Sequence, residues 1–274
     1  MQSEIKLAED WHSVDCLNCS YVYQGHYCPN CGQKYDTGRF SINKLVHESF
    51  YSLFHLEKKG LFSTIKDLFI APGKAIASFI QGQRLILYPP VKYLVLIGTI
   101  TVILSARYQF FSNEFTNADA DHNKEILSTL GLESYAEKLD EFFLYGEKYA
   151  TLLNIVAIPV FALFSWLLFF NTKYNFAENL VLNTYISAQQ LLILLMFIPF
   201  FEVYAFDKEF IIPIYTVISI IYNLAVYVGF FKEKIIVGIL KAIVVIVFSY
   251  VGQFVMNFGL FSLIHPWIHH IPSH

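Results

Sequence analysis

The chain has 274 residues, of which 55% are hydrophobic and 15% charged, with 27 Phe and 18 Tyr. That balance excludes an ordinary soluble domain of this size and points to an integral membrane protein. The net charge is −3, and no basic cluster of the kind that grips nucleic acid is present.

In chain order, the first feature is CLNCSYVYQGHYCPNCGQK, Cys16 to Lys34, which holds all four cysteines. The spacing Cys16-x2-Cys19 and Cys28-x2-Cys31 is the ligand pattern of a closed, tetrahedral, structural Zn²⁺ site of the zinc-ribbon kind. Each pair supplies two thiolates from one tight turn. Gly25, Pro29-Asn30 and Gly32 supply turn chemistry, while Tyr21, Tyr23 and Tyr27 favour short strands that pair across the metal. Two disulfides are the competing reading, and a reducing compartment disfavours them. Four cysteines fill the coordination sphere, so no position is left for a catalytic water, and His26 reads as a surface histidine. A segment this short has too little core to fold without the metal. No cleavable leader precedes it, so residues 1–39 are expected in the cytoplasm.

Residues 40–90 are apolar but interrupted by charge. Ile42, Leu45, Val46, Phe50, Leu53 and Phe54 recur every three or four positions, an amphipathic helix with Ser41 as its cap. Leu61, Phe62, Ile65, Leu68 and Phe69 repeat the pattern until Pro72-Gly73 ends it. Such helices can lie on the bilayer with Lys58, Lys59, Lys66 and Lys74 toward anionic headgroups, or pack on the bundle or in a dimer interface. Arg84, just ahead of the first span, is the candidate for contact with a lipid headgroup.

Five segments are then long enough to cross the bilayer: Val91–Tyr108, Tyr149–Phe170, Leu180–Phe201, Ile211–Phe231 and Ile235–Ile264. Pro89-Pro90 sits where the first begins, and Pro159, Pro199 and Pro213 mark local kinks or ends. The last segment exceeds the span required, so it either tilts or emerges. Lysines and Arg84 ahead of the first span, and Lys232 and Lys234 between the last two, oppose a 112–148 loop with nine acids and three lysines. The positive-inside rule therefore places the N-terminus in the cytoplasm and the C-terminus outside. The fold class is mainly α: a zinc ribbon (1–39), amphipathic juxtamembrane helices (40–90), a five-helix transmembrane bundle (91–264) with an extracytoplasmic loop (112–148), and a His-rich tail (265–274). Within that tail His265 and His269 have metal-capable spacing, and Trp267 makes an interfacial anchor the alternative.

Polar residues gather inside two spans. NFAENLVLNTYISAQQ contributes Glu178, Asn179, Asn183, Gln189 and Gln190 to the third, and Lys241, Gln253 and Asn257 fall in the fifth. They form either a polar pocket or path, or hydrogen-bonded glue between helices with Lys241 snorkelling; a Lys241–Glu178 pair is one expectation. No phosphate-cradling loop, nucleophile elbow or intramembrane metalloprotease motif occurs, and no internal repeat is evident.

The run CLNC…GHYCPNCGQK, LFSTIKDLFIAPGKAIASFIQGQRLILYPPVKYLVL and FAENLVLNTY resembles a family of bacterial multipass proteins of unknown function. The motif residues fall on Pro72, Gly73, Gly82, Arg84, Pro89, Pro90, Glu178, Asn179, Leu180 and Val181. The resemblance implies a bacterial inner membrane and carries no activity. Two functions follow from the sequence: a non-enzymatic membrane adaptor or scaffold whose ribbon docks a protein partner, with an oligomer compatible, or a transporter, channel or accessory subunit using Glu178, Asn183, Gln189, Gln190 and Gln253.

Overall fold

The computed structural model describes residues 13–35, 37–47, 60–107, 129, 138, 141–143, 145–146, 149–204 and 208–268. Most of the 112–148 loop and the tail beyond Ile268 lie outside these, as does the first amphipathic helix beyond residue 47. That helix does start after Ser41, whose Oγ accepts the Lys44 amide at 3.3 Å.

The chain is mainly helical, with a small zinc-ribbon-like cysteine module in front. Strands β1 (Val14–Asp15) and β2 (Val22–Tyr23) pair antiparallel, Val14 opposite Tyr23. Helices α1 (Leu61–Ile70) and α2 (Pro72–Ile80) follow. Pro72 separates them because it cannot donate to the preceding turn and holds Ala71 off the helical region, at φ −146° and ψ 60°. Then come α3 (Pro90–Arg107), α4 (Ala150–Val156), α5 (Ile158–Leu168), α6 (Phe176–Tyr204), α7 (Lys208–Phe231) and α8 (Ile235–Ile268).

Five helical stretches are long and apolar enough to cross a membrane, with α4 and α5 together making one. Their break at Ala157 is the effect of Pro159, whose missing amide is tolerated in the first turn of α5. Pro199 and Pro213 instead lie inside continuous helices. The third span starts at Phe176, earlier than Leu180, because Asn175 and Glu178 build a cap ahead of the apolar run.

Helix α6 is the axis of the bundle. It packs on α3, α5 and α7, and 67% of its span is buried, against 28% for α8, which touches only α5 and α7 among the larger contacts. Ile236, Leu240, Val247, Val251 and Val255 of α8 face outward, an apolar surface that suits a lipid bilayer environment. The extra length of α8 has a local use: Phe142 packs edge-on against Phe254, Phe258 and Phe261.

Helix α2 does not lie apart on the surface; it packs on α7 and α6. The crossing with α7 is made by two glycines. A Cβ on Gly73 would stand 2.5 Å from the Gly229 carbonyl carbon and from the Phe230 nitrogen.

Candidate functional site

The four thiols converge as their spacing predicts. Cys16 Sγ lies 3.5 Å from Cys31 Sγ, Cys19 Sγ lies 3.6 Å from Cys28 Sγ, and all four are within 4.8 Å of one another. Four soft donors at this separation can hold one metal ion. His26 is exposed and is not one of the group. The Asn30 side chain, and after it the Tyr21 backbone, hold the Cys19 thiol down at about 6.

Each cysteine pair sits in its own hairpin, and the two hairpins are copies. The Cys16 amide donates to the Tyr21 carbonyl at 3.0 Å and its carbonyl accepts from Ser20 at 2.8 Å; Cys28 repeats this with Gln33 at 2.9 Å and Gly32 at 2.8 Å. Strand pairing follows suit, within each knuckle and not across the metal position: Val14 opposite Tyr23, and Tyr27 opposite Lys34. The sequence carries the repeat as Cys-x-Asn-Cys-(Ser/Gly)-x-x-Tyr, at 16–23 and again at 28–35. The Asn and Tyr matches extend the likeness beyond the cysteines, so the chain does carry one short internal repeat, on the scale of a single knuckle.

The equivalent turn positions both have positive φ, 78° at Gly32 and 58° at Ser20. Glycine adopts this region freely and serine does not. Ser20→Gly is therefore expected to stabilise the metal-loaded module by about 1 kcal/mol, read as slower loss of metal to a chelator; faster loss would contradict the strain argument.

The module is latched onto the end of the bundle where α3 and α6 begin. Gln33, buried, uses both ends of its amide on one loop: Nε2 donates to the Gly82 carbonyl at 2.9 Å and Oε1 accepts the Arg84 amide at 3.0 Å. Gly82 has φ +117°, and a Cβ there would stand 2.5 Å from Leu17 of the first knuckle. Arg84 turns inward. Its guanidinium donates to the Phe79 carbonyl at 3.0 Å and the Gly38 carbonyl at 3.2 Å, and lies 3.7 Å above the Phe40 ring.

Through Arg39, the residue after Gly38, the latch reaches α6. Glu178 is buried in the first turn of that helix and accepts two hydrogen bonds from Arg39, at 3.0 Å from Nε and 2.7 Å from Nη2. The second Arg39 nitrogen also donates to the Lys173 carbonyl. Asn175 and Glu178 form a reciprocal capping box: each accepts the other's backbone amide at 2.9 Å. The Asn175 side chain donates as well to the Phe40 carbonyl at 2.9 Å. A Lys241–Glu178 pair does not form. Lys241 instead reaches back to Glu233 at 2.6 Å, because Arg39 already fills both oxygens of Glu178 with a planar fork that an ammonium cannot match.

The remaining polar residues join helices rather than line one cavity. Ser165 of α5 donates to Asn179 Oδ1 at 2.9 Å and accepts from Asn183 Nδ2 at 3.0 Å, and Tyr227 of α7 donates to Asn183 Oδ1 at 2.7 Å. Gln189 accepts from Tyr93 of α3 at 2.7 Å, Gln190 donates to Asn223 at 3.1 Å, and Gln253 donates to Asn154 at 2.8 Å. Glu178, Asn179 and Asn183 thus stand together at one end of α6, while Gln189 and Gln253 belong to separate contacts. Gln33, Arg39, Ser165, Tyr93 and Tyr227 were not anticipated. For Ser165 and the tyrosines the available signal was a hydroxyl within an apolar span; for Gln33 and Arg39 there was no local signal.

Residues 59–102 match a family described as Protein of unknown function (DUF3667), a stretch that contains Pro72, Gly73, Gly82, Arg84, Pro89 and Pro90. No curated protein and no solved structure matches the chain.

Proposed function

We propose that the chain is a non-enzymatic membrane adaptor, in which a ribbon closed around a structural Zn²⁺ is held rigidly on the cytoplasmic end of a five-span bundle and presents its outer surface to a protein partner. The observation that carries this reading is the latch. Gln33, Arg39, Arg84, Asn175 and Glu178 are all engaged in fastening the ribbon to the bundle, so the polar residues at this end serve position rather than passage. On the ribbon Tyr21, Val22, Tyr27 and Tyr35 are exposed, side chains three of which are of the aromatic kind enriched in protein interfaces.

Zinc suits the donor set. At about 2.3 Å per Zn–S bond, a regular tetrahedron has thiolates about 3.8 Å apart, close to the 3.5 and 3.6 Å separations here. Cys16, Cys19, Cys28 and Cys31 would hold the ion, and its chemistry there is the folding free energy of the module. The reducing-compartment preference of free cysteines and the positive-inside pattern both support a cytoplasmic ribbon and an extracytoplasmic C-terminus, and the family resemblance supports a bacterial inner membrane. On this reading Arg84 is a clamp between ribbon and α2, and its role is positional rather than headgroup contact.

Protein purified under reducing conditions is expected to contain about one Zn²⁺ per chain, lost in the Cys28→Ser, Cys31→Ser double variant; metal analysis finding none in the native chain would end the zinc assignment. Copurification in mild detergent then tests the adaptor: Tyr21→Ser with Tyr27→Ser should remove partners that the native chain retains, and an unchanged partner list counts against it. The transporter reading keeps one supporting observation, the fully buried Gln189 whose Nε2 has no hydrogen-bond partner. It predicts solute flux in proteoliposomes that Glu178→Gln or Gln189→Leu alters, whereas the adaptor predicts no flux from the native chain.

A further inference from the structure

Helix α1 has one face closed by its own bundle and another that the bundle leaves open. On the closed side Leu68 and Thr64 are fully buried and Leu61 and Ile65 pack on the core. Thr64 Oγ1 accepts the Tyr88 amide at 2.8 Å, and the Leu68 carbonyl accepts the Tyr222 hydroxyl at 3.2 Å. On the open side Phe62 is 84% exposed, Ile70 72% and Phe69 44%. Lys66 lies among them: positions 62, 66 and 70 are four apart and 69 is three from 66, so the four side chains share one face, with exposed Ser63 and Asp67 along its polar edge.

Two observations fix what this face meets. Tyr222 belongs to the apolar span Ile211–Phe231, so its bond to Leu68 sets α1 beside a helix long and apolar enough to cross a membrane. Ten residues cover about 15 Å, half the hydrocarbon thickness, so α1 can dip into one leaflet and cannot cross. Apolar side chains flanking a single lysine at that level are the pattern of an interfacial helix, in which the aliphatic stem lies along acyl chains and the ammonium rises to the headgroups.

We propose that the Phe62–Lys66–Phe69–Ile70 face is seated in the leaflet on the ribbon's side of the bundle, with the Lys66 ammonium at the phosphate of an anionic phospholipid. The occupant is the bilayer, not a second copy. The α1–α2 pair is thereby a wedge that fixes the height of the ribbon above the membrane, since α2 leads directly into the Gly82–Arg84 loop that Gln33 grips.

The test uses the full chain in lipid nanodiscs with Trp11, Trp166 and Trp267 replaced by phenylalanine and a single new reporter at Phe62→Trp, with Tyr21→Trp on the ribbon as the water-exposed control. The Phe62→Trp emission is expected to be quenched by brominated phospholipid and protected from acrylamide, and the control to behave in the opposite way. Acrylamide quenching as strong as in the control would place α1 in water and overturn the proposal. Protection from both quenchers, with crosslinked dimers, would mean that a second copy covers the face, and would overturn it as well. Adding Lys66→Gln should lower the preference for brominated phosphatidylglycerol over brominated phosphatidylcholine about fivefold; an unchanged preference removes the headgroup contact. The same preference, measured as the rise in melting temperature on adding phosphatidylglycerol to the chain with its native tryptophans, covers the case in which the tryptophan replacements impair folding.

Discussion

Arg39→Ala is expected to destabilise the chain more than Glu178→Gln, although Glu178 is the buried member of the pair. The Arg39 side chain is 63% exposed and Glu178 3%. Removing the arginine leaves a buried carboxylate with the Asn175 amide as its main remaining donor. The loss should be roughly 2 to 3 kcal/mol, below the full penalty for a broken buried pair because water reaches the arginine side. Removing the charge from Glu178 leaves a guanidinium that water can solvate, and an amide oxygen that can still accept from Asn175; about 1 kcal/mol is expected. The double variant Arg39→Ala, Glu178→Gln should therefore be more stable than Arg39→Ala alone. Melting temperature in detergent reads this order, and a double variant no better than Arg39→Ala would show that Glu178 is not held as a charge.

The second large effect is also asymmetric. Gly73→Ala should be severe, about 3 kcal/mol in bundle stability, because its Cβ would meet backbone atoms of Gly229 and Phe230 at 2.5 Å and neither can rotate away. Helices α2 and α7 would have to separate, carrying the Gly82–Arg84 loop and the latched ribbon with them. Gly229→Ala is expected to be mild: its Cβ would lie 3.5 Å from Gly73 Cα, ordinary van der Waals contact. A pair of thermal melts decides it, and equal losses at the two positions would mean that α2 and α7 do not cross as closely as the two glycines imply.

What the sequence revealed and concealed follows from the range of the interactions. The spans are legible because bilayer thickness fixes their length, and their ends agree within a few residues, as at Ile211–Phe231. The convergence of Cys16, Cys19, Cys28 and Cys31 is legible because metal coordination demands short, paired spacing. The Ser41 cap and the Pro72 break are local events with local signatures. The latch is different in kind: Gln33 to Gly82, Asn175 to Phe40 and Arg39 to Glu178 join residues 49, 135 and 139 apart, and no periodicity links such pairs. Lys241 illustrates the difficulty. As the cation inside a span it invited pairing with the acid inside another, yet a flexible ammonium took the acid eight residues away, and the distant one went to an arginine outside the spans.

The 139 residues between Arg39 and Glu178 also have a meaning in time. At about 5 to 20 residues per second, translation delivers Glu178 roughly 7 to 30 seconds after Arg39. Cysteines 16 to 31 are all made before that interval opens, so on the proposed reading the two knuckles can close around their metal long before their seat on α6 exists. The seat, in turn, emerges as a buried acid awaiting its cation. Synthesis thus runs from key to lock, and the bundle completes its central helix with the fastening piece already folded and tethered nearby.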